Sequence, residues 1–226
     1  MVAFYVPLSA TEALQKIQGR LAPASPTLPE DMHCTLAYLG DPSDQEETLP
    51  ELLVAIRRFA SKFDPIAGEL VGTAQFGRGD DGIPYVVLVD APELPSFREA
   101  LVAYLIEQVG MEVAMNHGFM AHVTLSYENE PKAHVEFAAI PVVFDRLTVA
   151  MGDVREHYRL GERHPVDVAL DRVVDATKSL FGDDRECLEE LETLRVLPDV
   201  AALEIEAGKQ LGISLAAVTL LQTVEG

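Results

Sequence analysis

The sequence predicts an α+β fold of two pseudo-symmetric halves, with mostly antiparallel sheets around a central groove and a helical extension at the C-terminus. A four-residue motif occurs twice, as HCTL at residues 33–36 and as HVTL at residues 122–125. Each copy closes the same predicted order of strand, helix and motif strand, in residues 2–40 and again in 84–127. Two such halves facing each other would bring both motifs into one groove. Beyond Gly161 the pattern is helical.

The first half alternates predicted strands with helices. A strand is predicted from residue 2 to 7 and a helix from there to residue 21, and three prolines then make residues 23–29 a loop. The first motif follows as a strand, because apolar, β-branched and aromatic residues surround it. A turn is predicted at residues 41–44, and apolar residues at helical spacing predict a helix over 49–63.

The second half begins with a predicted strand pair at residues 68–76 and 83–90, joined by a glycine-rich turn. A helix over residues 94–109 carries apolar side chains in register and leads to the second motif. Strands at about 142–151 and 155–160 are predicted to complete the sheets. Both halves would then form one unit that ends at residue 161.

The extension over residues 162–226 is a second predicted unit, which begins near the His164-Pro165 pair. It is predicted to contain helices at residues 166–181, 185–194, 199–211 and 215–224. The last of them has no lysine or arginine, which argues against contacts with bases or phosphates. The apolar faces of the helices must be buried against the first unit, a second copy of the chain or a protein partner.

The composition favours a globular protein that binds neither duplex nucleic acid nor a membrane. Residues 1–160 carry 11 basic and 23 acidic side chains, and the net charge of the chain is −20, so no basic stripe is available to neutralise phosphates. No apolar run reaches the roughly eighteen residues of a membrane helix, and no signal peptide is recognisable. With only Cys34 and Cys187, we expect no disulfide framework, and a cytoplasmic location is predicted.

The repeated motif predicts a site. Side chains alternate between the two faces of a strand, so His33 and Thr35 share one face, as do His122 and Thr124, with apolar neighbours pointing into a core. A single triplet of this kind is usually structural, whereas its repetition in matching contexts indicates function. No cysteine or carboxylate stands at metal-ligand spacing, and no nucleophile-elbow sequence is present. We therefore predict neither a metal site nor a serine-type nucleophile.

The stretches HCTLAYLG and GFMAHVTLSY resemble the paired signatures of the two-histidine (2H) phosphoesterases, most of all the branch of 2′-5′ RNA ligases and RNA 2′,3′-cyclic phosphodiesterases. The resemblance covers roughly residues 1–161 and not the extension. Ala121 precedes the second motif where the family often has proline, which leaves the histidine and threonine positions intact. The resemblance implies the pseudo-symmetric arrangement of two halves and an enzyme that acts on phosphodiesters.

The activity that the resemblance implies is hydrolysis of a cyclic phosphodiester, at the 2′,3′-cyclic end of an RNA or in a small nucleotide, without a metal or other cofactor. Two imidazoles suit this reaction because one can be neutral while the other is protonated near neutral pH. His33 and His122 would move the two protons, and Thr35 and Thr124 would donate hydrogen bonds to the phosphate oxygens. The sequence leaves open which histidine is the base.

Three arginines are candidates for holding the phosphate: Arg78, Arg155 and Arg159. Strand parity places Tyr38 and Tyr127 on the face opposite the histidines, so we predict that both tyrosines lie in the core. The other four histidines lack the motif and are predicted to be ordinary surface or loop residues: His117, His134, His157 and His164.

Other functions fit the same residues. The chain could hydrolyse a cyclic oligonucleotide signal, which an acidic protein tolerates equally well, or ligate 2′-5′ RNA ends, which fits the charge less well. It could also be a non-enzymatic module that associates with itself or with a protein partner through residues 162–226. Loss of a motif histidine or threonine would have favoured that last function, and all four are present.

Overall fold

The computed structural model describes residues 1–23, 25–41, 47–114, 118–181, 185–197 and 200–211. These ranges contain nine strands, β1 (Val2–Tyr5), β2 (Ser25–Pro26), β3 (His33–Ala37), β4 (Ile66–Gln75), β5 (Ile83–Asp90), β6 (His122–Glu128), β7 (Ile140–Phe144), β8 (Arg146–Met151) and β9 (Val154–Arg159). They also contain six α-helices, α1 (Leu8–Leu21), α2 (Leu49–Ala60), α3 (Leu94–Val109), α4 (Pro165–Phe181), α5 (Arg185–Glu192) and α6 (Val200–Leu211). None of these helices is both long and apolar enough to cross a membrane.

The strands form two antiparallel sheets with a common plan. One sheet has the order β3-β1-β8-β9, and the other has the order β2-β6-β5-β4-β7. In each sheet the motif strand, β3 or β6, lies beside β1 or β5, the strand that opens its repeat of strand, helix and motif strand, and two further strands continue outward. The predicted α+β fold with pseudo-symmetric halves is therefore confirmed.

One apolar cluster joins both sheets to helices α1, α2 and α3. Phe4 of β1 is fully buried, and its ring stacks on Phe144 of β7 at 5.1 Å and tilts against Phe97 of α3 at 5.2 Å. Burial of one such side chain stabilises a fold by about 1.5–3 kcal/mol. Because these rings come from the two sheets and a helix, their packing fixes the sheets relative to each other.

The segment from residue 142 to 151, predicted as one strand, forms two. β7 pairs with β4 in the five-stranded sheet, whereas β8 pairs with β1 and β9 in the four-stranded sheet. The buried apolar side chains fall at even positions in β7 and at odd positions in β8. This change of parity occurs at the exposed residue Asp145, where the chain crosses from one sheet to the other.

The C-terminal helices have their own apolar cluster and also contact the first unit. Buried side chains of α4, α5 and α6 form this separate cluster. Asp167 of α4 pairs with Arg57 of α2 at 2.8 Å, and Arg57 also donates to the carbonyl of Arg195 at 2.7 Å. These contacts hold α4 against α2. The helix predicted at 215–224 lies outside the described residues, and the domain boundary at residue 161 stays a prediction.

Candidate active site in the groove between the two sheets

The two motif strands meet where the two sheets adjoin. The thiol of Cys34 is buried between them, and burial raises its pKa to about 12 although a hydrogen bond from the His122 backbone acts to lower it. That hydrogen bond joins β3 to β6. The register of β1 with β3 places His33 and Thr35 on one face, and the register of β5 with β6 does the same for His122 and Thr124.

Both imidazoles make the same hydrogen bond within their own half. Nδ1 of His33 lies 2.6 Å from the carbonyl oxygen of Asp31, and Nδ1 of His122 lies 2.6 Å from that of Met120. A carbonyl oxygen can only accept, so each Nδ1 carries the proton. In the neutral form of each ring, Nε2 is then the nitrogen that can exchange a proton with a substrate.

The surroundings of His33 distinguish it from His122. Burial lowers the pKa of His33, the backbone and the charge of Asp31 act to raise it, and the charges of Arg155 and His122 act to lower it. The ring of Tyr5 lies 5.4 Å from the His33 ring, and the Arg155 guanidinium lies 4.9 Å from the Tyr5 ring centroid. Arg155 also pairs with the Asp31 carboxylate at 3.0 Å. One ion pair thus places both of its charges near His33.

Removal of the cation and removal of the anion of this pair should shift the pKa of His33 in opposite directions. We expect Arg155→Met to raise it, because a cation that disfavours the imidazolium is lost, and Asp31→Asn to lower it, because a favourable anion is lost. Histidine titrations followed by NMR measure both shifts, with Arg146→Met, on the same sheet, as the control. Shifts in the same direction in both variants would contradict this account.

A cavity of about 710 Å³ opens beside His122. The ring of Phe76 meets the His122 ring edge-on at 4.7 Å, and Thr35, Tyr38 and Phe119 also line the cavity. His33 is not part of this lining. The groove therefore continues on the His122 side into a space with aromatic walls.

The prediction that Tyr38 and Tyr127 lie in the core is wrong. Tyr38 is 58% exposed and lines the cavity. The pairing of β5 with β6 shifts by one residue between Tyr85 and Val86, which puts Tyr127 on the same face of the sheet as Thr124. A similar shift affects the last residues of β3, just before Tyr38. Each bulge reverses the alternation on which the prediction rested.

The three predicted arginines lie in different places. Arg78 lines the cavity beside His122 and donates to the carbonyl of Asn129. Arg155 lies beside Tyr5, as described above. Arg159 on β9 pairs with Glu162 at 3.8 Å and lines a separate cavity of about 280 Å³. Only Arg78 of the three therefore borders the cavity next to His122.

Arg98 was missed by the sequence reasoning. It lies on α3, where its Nε donates to the carbonyl of Leu36 at 2.9 Å and its guanidinium lies 4.6 Å from the Phe119 ring centroid. It lines the cavity together with Arg78. In the helical pattern it is one polar residue among several, so no local signal marks it.

Of the other histidines, His134 and His157 are exposed and His164 is half-buried. The predicted surface residue His117 lies outside the described residues.

Within the described ranges, no group of three or more histidine, cysteine, aspartate or glutamate side chains is placed to hold a metal ion. What the groove does offer is a pair of imidazoles and a pair of hydroxyl groups, which suits proton transfer around a bound anion.

Comparison with known proteins identifies the family. The profile of the 2′-5′ RNA ligase superfamily matches residues 4–156, more than half of the chain. The crystal structure of TT0787 from Thermus thermophilus is 23% identical, with a TM-score of 0.56 over 72% of this chain and 98% of that one. E. coli LigT, solved in complex with 3′-AMP, is 19% identical, with a TM-score of 0.45 over 70% of this chain and 92% of that one. No curated protein matches the sequence. By the match over residues 4–156, the chain belongs to the 2′-5′ RNA ligase superfamily.

Proposed function

We propose that the protein is a metal-independent phosphodiesterase that opens a cyclic phosphodiester, either the 2′,3′-cyclic phosphate of an RNA end or a small nucleotide. The observation that carries the proposal is the matched pair of imidazoles on adjoining strands. Each holds its Nδ1 proton on a backbone carbonyl at 2.6 Å, which leaves Nε2 for the chemistry. Membership of the superfamily supports the same class of reaction.

The reaction needs two proton transfers. A neutral imidazole takes a proton from water as the water oxygen bonds to phosphorus, and a protonated imidazole gives a proton to the ribose oxygen as its bond to phosphorus breaks. The product is a phosphate monoester, and the two histidines have exchanged protonation states, which solvent restores. His33 and His122, one from each half, are suited to opposite sides of the phosphorus atom.

The threonines are proposed to stabilise the charge that develops on phosphate. Thr35 and Thr124 lie two residues beyond the histidines on the same strand faces. Their hydroxyl groups can donate to the non-bridging oxygens, and such bonds strengthen as negative charge accumulates there.

The cavity supports a nucleotide substrate. Its volume of about 710 Å³ falls in the usual range for small-molecule sites, roughly 300–1,000 Å³. Tyr38, Phe76 and Phe119 offer aromatic surface for a nucleobase, and the cavity begins at Thr35 and His122. A nucleoside in the cavity would thus have its phosphate next to the proposed catalytic groups.

Because the mechanism uses no metal ion, activity should survive EDTA. The value of kcat/KM should follow a bell-shaped pH profile, since one imidazole must be neutral and the other charged. Turnover should be measured on 2′,3′-cyclic mononucleotides, cyclic dinucleotides and RNA ends with a cyclic phosphate. A strict requirement for an added divalent ion would rule out the proposal. Turnover of cyclic dinucleotides alone would favour a role in removing cyclic oligonucleotide signals.

A further inference from the structure

The cavity beside His122 is lined by positively charged side chains, although the protein as a whole is strongly acidic. The chain has 37 acidic and 17 basic residues, yet the described side chains that line this cavity include two arginines, Arg78 and Arg98, and no carboxylate. In a strongly acidic protein, a concave surface with only positive formal charge attracts anions locally.

Arg98 is held in position on the cavity wall. Its Nε is anchored by the carbonyl of Leu36 at 2.9 Å, and its guanidinium lies over the Phe119 ring at 4.6 Å. A guanidinium restrained in this way loses little conformational freedom when it binds an anion, and its planar fork matches phosphate oxygens.

The cavity borders the proposed catalytic groups but is not lined by all of them. The reacting phosphorus atom must lie between His33 and His122, whereas the cavity is lined by His122 and Thr35 but by neither His33 nor Thr124. Because only two of these four groups line it, the cavity has room for a further group of the substrate beside the reacting phosphate.

We propose that Arg98, with Arg78, binds a second phosphate group of the substrate, one nucleoside away from the cyclic phosphodiester. This proposal rests on the proposed function and narrows its substrate class. The preferred substrate is a nucleotide that carries a 2′,3′-cyclic phosphate and a further phosphate on the 5′ side, whether a terminal monoester or the diester of a longer strand. The nucleoside between the two phosphates lies against the aromatic walls.

The test compares three substrates: adenosine 2′,3′-cyclic phosphate, its 5′-phosphorylated form, and a dinucleotide that ends in a 2′,3′-cyclic phosphate. In the wild-type protein the second phosphate should raise kcat/KM by about 10- to 150-fold, the effect of hydrogen bonds to a charged group. Arg98→Gln should abolish this advantage, so that its kcat/KM is about the same for all three substrates. Arg98→Lys should restore it only in part, because lysine lacks the planar fork. Arg58→Gln, an exposed residue of α2 outside the cavity, is the matched control.

The two phosphorylated substrates show whether the site takes a monoester or a diester. If Arg98→Gln slows all three substrates equally, Arg98 acts on the reacting phosphate and the inference is wrong. Equal kcat/KM for all three in the wild-type protein would also overturn it. If none of the three is turned over, the proposed function fails, and a binding measurement then tests the second-phosphate site by itself. Adenosine 3′,5′-bisphosphate should bind more tightly than 3′-AMP to the wild-type protein, whereas Arg98→Gln should bind the two nucleotides with equal affinity. Equal affinity of the wild-type protein for the two nucleotides would overturn the inference.

Discussion

Alanine in place of either His33 or His122 is expected to lower kcat by about 10²–10⁴-fold, the usual contribution of a group that transfers a proton. The two losses should be of the same order, because both imidazoles are held by the same 2.6 Å hydrogen bond and each would handle one of the two protons. Valine in place of Thr35 or Thr124 should cost less, since a single hydrogen-bond donor is lost while acid–base catalysis remains. Steady-state kinetics on a 2′,3′-cyclic nucleotide measure all four variants.

The control for these variants is His134→Ala, which removes an exposed histidine outside the motif. Circular dichroism should show the same fold in every variant, because His33 and His122 lie on a strand face towards the groove rather than in the core. A folded His33→Ala protein with full activity would rule out the two-histidine mechanism.

Replacement of Asp167 by alanine is expected to lower the free energy of unfolding by about 3–5 kcal/mol, since it leaves the buried Arg57 without its carboxylate partner. The side chains of Asp167, Arg57 and Arg195 are only 8%, 10% and 5% exposed. Asp167 accepts from Arg57 at 2.8 and 3.0 Å, and its Oδ1 lies 3.4 Å from Nη1 of Arg195. Urea unfolding measures the change.

Two further variants make this stability test specific. Asp175→Ala, an exposed position on the same helix, should change stability by no more than about 0.5 kcal/mol. Replacing Arg57, Asp167 and Arg195 together by methionine, leucine and methionine should recover much of the loss, because no buried charge is left unpaired. A loss below about 1 kcal/mol in Asp167→Ala would contradict a buried network. A chain ending at Gly161 would leave Arg57 without Asp167, so we expect it to be less stable as well.

The order of the strands and helices could be predicted from the local spacing of apolar residues. The predicted helix at 94–109 matches α3, and the strand at 83–90 matches β5, because apolar spacing in each segment reports the face that packs. The signal for the crossing at Asp145 was also present, as a change of parity between β7 and β8. It was missed because both flanking stretches favour strand.

The sequence did not indicate to which face of the sheet a side chain beyond a bulge points. Tyr38 and Tyr127 each lie five residues after a motif histidine, and simple alternation would put both in the core. A bulge is a property of the pairing between two strands, so only the register of β3 with β1 and of β6 with β5 shows that the alternation reverses.

By itself, the sequence determined the family, the two motifs and the alternation that places His33 with Thr35 and His122 with Thr124, because residue type and spacing along one strand carry this information. Only the tertiary structure decided that the two motif strands adjoin, that Arg98 of α3 reaches the cavity, and that Asp167 joins α4 to α2. Each of these depends on residues far apart in the chain, whose proximity results from the packing of whole elements around a shared core.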